Sequence, residues 1–164
     1  LKGRFGCPGR QVVMTFGLLS PDKGNADMIE ALPALIERHP DLLYAVIGAT
    51  HPNLVRRAGE AHREALTARA SDLGVADHIE FLDAFVEQEE LLDRLQASDI
   101  YVTPYLNMNQ VTSGTLAYSF GLGKPVVSTP YWHARELLAE GRGVLVPFGD
   151  AEGIGDEIAQ LLTD

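Results

Sequence analysis

The chain has 164 residues, enough for one domain or two small ones. With 46% hydrophobic and 22% charged residues it has the composition of a globular protein and not of a disordered one. Thirteen Lys and Arg against 23 Asp and Glu leave a formal net charge of −10. That excludes a general positive field for nucleic acid or an anionic membrane, so any bound phosphate has to be held by local donors. One cysteine, Cys7, excludes an internal disulfide framework and a Cys-rich zinc site and fits a reducing compartment. No apolar run approaches the ~20 residues that cross a bilayer, and Leu1–Gly6 is no signal peptide. The chain starts without Met, and we expect a piece of something longer.

The predicted elements alternate. Gln11–Leu18 reads as a strand ending near Gly17, and Lys23–His39 as a helix with Met28, Ile29, Leu32, Leu35 and Ile36 at helical spacing. His39-Pro40-Asp41 breaks it. Leu42–Ile47 is a second strand before Gly48. Asn53–Leu73 is one long, mostly polar helix stopped by Gly74. His78–Leu82 is a third strand, Glu87–Ala97 an amphipathic helix, and Asp99–Thr103 a fourth strand before Pro104. Ser113–Leu122 is a helix, Pro125–Ser128 a strand, His133–Ala139 a short helix, Gly143–Val146 a sixth strand and Ile154–Leu162 the closing helix. Short continuous apolar strands alternating with helices predict a doubly wound, Rossmann-like α/β domain: about six parallel strands with helices on both faces. Ligands of such sheets bind beyond the carboxyl ends of the strands, so the loops that follow strands are the informative ones. Residues 1–10, rich in Gly and basic residues, are linker-like, and the domain proper is expected over 11–164.

Three of these loops carry chemistry. Gly17-Leu18-Leu19-Ser20-Pro21-Asp22-Lys23-Gly24 joins a strand to a helix and offers free N–H groups with a lysine, which suits a phosphate. The same segment also reads as a plain connection in which Ser20 or Asp22 caps the helix. Tyr105-Leu106-Asn107-Met108-Asn109-Gln110-Val111-Thr112-Ser113-Gly114-Thr115 follows a strand and leads into a helix whose N–H groups and hydroxyls suit a diphosphate, or it is an ordinary Ser-capped helix start. Tyr131-Trp132-His133 follows a strand; its aromatics suit a sugar or a base, or pack on their own domain. His51, in the loop after Gly48, is a further binding candidate. The other histidines show no metal spacing, with His39 and His62 expected in solvent, and no metal is expected. The charged run Arg56-Arg57…Glu60…His62-Arg63-Glu64…Arg69 reads as a solvent face. The fingerprint G-x-G-x-x-G is missing after the first strand, which argues against a nicotinamide dehydrogenase, and no nucleophile elbow or Cys/His pair supports hydrolysis.

Six pieces of sequence occur in a telling order: Gly17…Lys23-Gly24; Val46-Ile47-Gly48; His78-Ile79-Glu80-Phe81-Leu82-Asp83; Ala97-Ser98-Asp99-Ile100-Tyr101-Val102-Thr103-Pro104; Gly123-Lys124-Pro125-Val126-Val127-Ser128-Thr129; and Glu136-Leu137…Gly141…Gly143-Val144-Leu145-Val146-Pro147. Over residues 11–164 the chain resembles the C-terminal, nucleotide-sugar-binding domain of family-4 glycosyltransferases of the GT-B fold, which are retaining and metal-independent. The run from Gln110 to Tyr118, with Ser128–Ala134 after it, resembles a bacterial mannosyltransferase-like subgroup.

The resemblance implies a hexosyltransfer role in bacterial polysaccharide or glycolipid synthesis, with a GDP-mannose type donor and no cofactor. It implies a partner domain missing from this chain, which holds the acceptor, and a cytoplasmic enzyme touching the inner membrane, if at all, through that half. Alone, the piece is expected not to transfer sugar. It places Lys23 and Gln110 as catalytic and Gly17, Lys23, Gly48, His51, Leu82, Asp83, Gln110, Ser113, Gly114, Thr115 and Tyr118 at the donor, with the backbone after Leu82-Asp83 meeting the base. Two departures stand out. The family's Arg after the first Gly is Leu18, and its two glutamates of the E-x7-E motif are Gln110 and Tyr118. These departures leave open a non-catalytic relative, or a sugar-nucleotide epimerase or phosphorylase on the same fold.

Overall fold

A computed structural model of the chain describes residues 8–84, 86–109 and 114–163. Six strands run β1 Gln11–Phe16, β2 Leu42–Ile47, β3 Ile79–Leu82, β4 Ile100–Thr103, β5 Val126–Ser128 and β6 Val144–Leu145. All pair in parallel, in the order β3-β2-β1-β4-β5-β6. Parallel neighbours need crossovers, and helices supply them: α1 Asn25–Arg38, α2 Pro52–Ala58, α3 Ala61–Asp72, α4 Gln88–Ala97, α5 Gly114–Gly121, α6 Trp132–Leu137 and α7 Ala151–Thr163.

Strand side chains alternate, so the sheet has two buried faces. Val13, Tyr44, Ile100, Val102 and Val127 pack under α1, α3 and α7, with Met28, Leu32, Leu66 and Ile158. Val12, Met14, Leu43, Tyr101 and Val126 pack under α4, α5 and α6, with Leu91, Leu95, Leu116 and Ala134. Both faces are therefore covered, as the continuous apolar strands require. Among the described residues no helix is long and apolar enough to cross a membrane.

Several boundaries differ from expectation; the closing helix, for one, begins at Ala151 and not Ile154. The expected helix Asn53–Leu73 is two helices, because Gly59 takes φ +60° and turns the chain between Ala58 and Ala61. The first helix starts at Asn25, not Lys23, since Pro21–Lys23 forms a separate 3-10 turn. The helix expected to begin at His133 begins at Trp132. Neither Ser20 nor Asp22 caps α1: the Ser20 hydroxyl donates to the Asp22 carboxylate, and Gly24, at φ +75°, holds the cap position.

Candidate functional site

The strand order reverses direction between β1 and β4, so a crevice opens there at their carboxyl ends. Two backbone contacts fix its walls. The Leu106 amide donates to the Asp22 carbonyl at 2.8 Å, and a Cβ at Gly24 would stand 1.7 Å from the Pro104 carbonyl oxygen. Only glycine lets the start of α1 lie against the loop after β4.

On the other side, the loops after β1 and β2 continue the pairing of their strands. The Leu19 amide donates to Ala49 at 2.8 Å and the His51 amide to Leu19 at 2.9 Å. A Cβ at Gly48 would lie 1.9 Å from the Gly17 carbonyl oxygen, so these two expected donor contacts touch each other. Gly48 also donates to the Leu82 carbonyl at 2.9 Å, which brings the Leu82-Asp83 segment alongside.

Lys23 closes the 3-10 turn over this crevice. Its ammonium sits 4.5 Å from the centroid of the Tyr105 ring, within cation–π range. Tyr105, 4% exposed, stacks on fully buried Tyr131, with centroids 4.9 Å apart and planes at 27°. The Tyr131 hydroxyl donates to Thr103 Oγ1 at 3.1 Å, and the Thr129 hydroxyl to the Tyr105 carbonyl at 2.6 Å. The lysine is thus backed by two rings anchored to the ends of β4 and β5.

A buried polar chain lies under the same turn. Thr15 Oγ1 gives its single hydrogen to the Val102 carbonyl at 3.0 Å. Tyr44 therefore donates to Thr15 across their 2.9 Å contact and accepts from Asn25 Nδ2 at 3.0 Å. This ordering turns the Asn25 carbonyl oxygen, which has no partner among the described residues, away from Tyr44. A cavity of about 10 Å³ lies against Asn25, Thr15, Gly17 and Lys23. Burial pushes the Tyr44 hydroxyl up to about 12, against the smaller lowering effect of its Thr15 and Asn25 hydrogen bonds.

The charged run expected to face solvent is only partly exposed. Because the chain breaks at Gly59, Glu60 and Arg63 come back under the β2 loop. Arg63, 12% exposed at its side chain, donates to the Gly48 carbonyl at 2.6 Å and lies 3.5 Å from Asp83 Oδ1. Its Nε is 3.5 Å from Glu60 Oε2, an ion-pair separation without a hydrogen bond, while Thr50 donates to that same oxygen at 2.6 Å. Nor are the histidines simply solvated: the Nε2 atoms of His39 and His62 are buried and unpaired among the described residues. Burial, with the Arg63 charge second, holds His62 below its ordinary range.

The other candidates fall as follows. His51 Nδ1 accepts from the Asn53 amide at 3.1 Å and caps α2, while the residue lines a groove of about 380 Å³ with Ser20, Asp22 and Arg57. Asp83 is tied to Arg63. Gly114 opens α5, Thr115 follows it, and Tyr118 is 39% exposed one turn on. Gln110 and Ser113 lie outside the described residues. No cluster of three potential metal ligands occurs among the described residues. Asn25 and Arg63 were not singled out as binding residues from sequence, and Tyr105, at the head of the second candidate loop, was given no role of its own. Nothing in sequence marks Arg63, whose burial depends on a helix break.

A doubly wound domain with a lysine and two glycines at its switch-point crevice belongs to the broad class of α/β folds whose ligands lie at that crevice. The chain is a member of the glycosyl transferases group 1 family, whose model matches residues 10–164. It is 31% identical over its whole length to the GDP-mannose-dependent alpha-(1-6)-phosphatidylinositol monomannoside mannosyltransferase of Mycolicibacterium smegmatis. It is also 31% identical, over 94% of its length, to the D-inositol 3-phosphate glycosyltransferase of Corynebacterium urealyticum. The chain spans 42% and 35% of those relatives. Anabaena HepE, solved with UDP and glucose, superposes with a TM-score of 0.86 at 21% identity, covering 99% of this chain and 41% of that one. The C-terminal domain of a glycosyl transferase group 1 protein from Francisella tularensis superposes at 0.84 and 21% identity, over 99% of this chain and 80% of that one.

Proposed function

We propose that this domain binds the nucleoside-diphosphate sugar of a retaining hexosyltransferase, with GDP-mannose as the donor. The observation that carries the reading is the ammonium of Lys23 held over the β1/β4 crevice. The donor leaves as a diphosphate, so the site has to stabilise growing negative charge. Lys23 and the N–H groups opening α5 take that role, Gln110 meets the sugar and Tyr118 the ribose. The segment after Leu82-Asp83 takes the base, steadied by the Arg63 contact to Asp83. No metal or other cofactor enters the scheme. The GDP-mannose preference is supported by the name of the mycobacterial relative. A nucleotide as the ligand is supported by HepE, a neighbour in fold that was solved with UDP and glucose. The acceptor belongs to the rest of a longer chain, acting in the cytoplasm.

Calorimetry with GDP-mannose, UDP-glucose and ADP-glucose tests this. We expect GDP-mannose to bind, and Lys23→Met to weaken it about 10- to 100-fold, the worth of one charge-assisted hydrogen-bond donor. No binding of any nucleotide by the folded domain, or intact affinity in the variant, refutes the reading. Leu18, Gln110 and Tyr118 favour a second reading, a donor-binding relative without transfer. Binding without turnover by the full-length protein selects it.

A further inference from the structure

The aromatic cluster after β5 divides in two. Tyr131 is buried in the stack behind Lys23, but Trp132, the next residue, is 56% exposed. Its amide donates to the Met108 carbonyl at 3.1 Å, which fixes the start of α6 to the loop after β4, and Met108 is itself 58% exposed. An indole is costly to leave in water, and this one stands at the same end of the sheet as the crevice. Trp132, Arg135 and Glu136 stand at i, i+3 and i+4, so one face of α6 carries all three. Together they line a groove of about 290 Å³. The side chains of Arg135 and Glu136 make no hydrogen bond or ion pair with a described residue.

We propose that this groove is a hexopyranose subsite. The three side chains match the three kinds of surface that a sugar ring presents. The axial C–H face of a pyranose is apolar and packs flat on an indole. Its hydroxyl oxygens accept from a guanidinium, and its hydroxyl hydrogens donate to a carboxylate. The groove volume is at the lower limit for small-molecule sites, as a single ring requires. A protein-docking face would instead be depleted of exposed charge at its centre. The inference rests on the glycosyl-transfer reading for its purpose, since a sugar ring at this rim lies on the side where the donor is proposed to bind. The ring belongs to either the acceptor or the donor hexose, which share this chemistry.

Trp132 is the chain's single tryptophan, so its emission reports this groove alone. The 164-residue chain is titrated with methyl α-D-mannopyranoside and with α-1,6-mannobiose, against glycerol at the same concentration. GDP is titrated separately by calorimetry. We expect a saturable emission shift with the pyranosides and none with glycerol. Saturation-transfer NMR of the same sugars is expected to show binding weakened about tenfold in Trp132→Ala, the loss of one aromatic anchor. Arg135→Ala and Glu136→Gln should each weaken it, while Trp132→Phe retains most of it. All three side chains are on the surface, and melting temperatures check that each variant folds.

No pyranoside response with GDP still bound overturns the subsite and leaves the donor reading standing. A pyranoside response without nucleotide binding supports the subsite and removes the donor reading. An emission shift that instead follows protein concentration, with a dimer in sedimentation, overturns the subsite in favour of a contact between copies. In the full-length protein, Trp132→Ala is expected to raise the KM for one sugar substrate about tenfold with little change in kcat. Whether acceptor or donor KM moves identifies the source of the ring, and no movement of either overturns the proposal.

Discussion

Tyr44→Phe tests whether the polar chain under the Lys23 turn holds the site together. The hydroxyl is the middle link from Asn25 through Tyr44 to Thr15 and the Val102 carbonyl, and it joins α1, β2, β1 and β4. Removing it strands the amide hydrogen of Asn25, a residue only 2% exposed. Thr15 keeps its donated bond to Val102 and loses an incoming one. One stranded buried donor costs about 1–3 kcal/mol and one lost net hydrogen bond about 1 kcal/mol, which gives roughly 2–4 kcal/mol in all. For a chain of this length that corresponds to a fall in Tm of roughly 5–15 °C. Urea unfolding should show a lower midpoint with an unchanged slope. Asn25→Ala removes the donor that Tyr44→Phe strands, so the double variant should lose less than the sum of the two, by about 1–2 kcal/mol. Additive losses, or a single-variant effect below about 0.5 kcal/mol, would refute the inferred direction of the chain.

The same hydroxyl predicts an alkaline limit. Its folded pKa of about 12 lies above the unfolded value of 10, so stability is complete below pH 10 and falls as pH rises towards 12; Tyr44→Phe should flatten that loss in pH-dependent urea curves. Gly48→Ala should cost at least about 3 kcal/mol, because the new Cβ meets the Gly17 carbonyl as well as an unfavourable φ of +148°. Gly74→Ala, at φ +74° with nothing within 4 Å, is the control and should cost only about 1–2 kcal/mol. Equal losses at the two positions would mean that the contact between the β1 and β2 loops is loose.

The architecture was legible because it is written in short-range pattern. Most strands are short, largely apolar runs, such as Leu42–Ile47, and helices such as α1 show their own period, so the alternation and the parallel sheet could be read directly. The strand order is not local, and it decides which loops face one another. It places the Lys23 turn against the loop after β4, a pairing that no spacing reveals. The helix break at Gly59 shows the opposite failure. A helical pattern ran straight through it, and only the positive φ of that residue returned Arg63 to the Gly48 loop. Arg63, read as part of a solvent face, has its partner Asp83 far off in sequence, and the hydrogen bond from Tyr44 to Thr15 is equally non-local.

A domain of net charge −10 that carries Leu18 where the resemblance expects an arginine has to make Lys23 effective if it binds an anion there. A free lysine side chain carries about 2 kcal/mol of rotamer entropy, which binding an anion would normally remove. Here the ammonium already rests on Tyr105, and Tyr105 is held in turn by Tyr131 and by the Thr129 hydroxyl. Much of that entropy is therefore lost during folding and not at binding, which favours the bound state without adding charge. The ring touches the ammonium from one side and leaves other hydrogens for a phosphate. On the proposed donor reading, with Leu18 where the resemblance expects an arginine, affinity for the anion depends on where Lys23 stands, and so on the aromatic pair behind it.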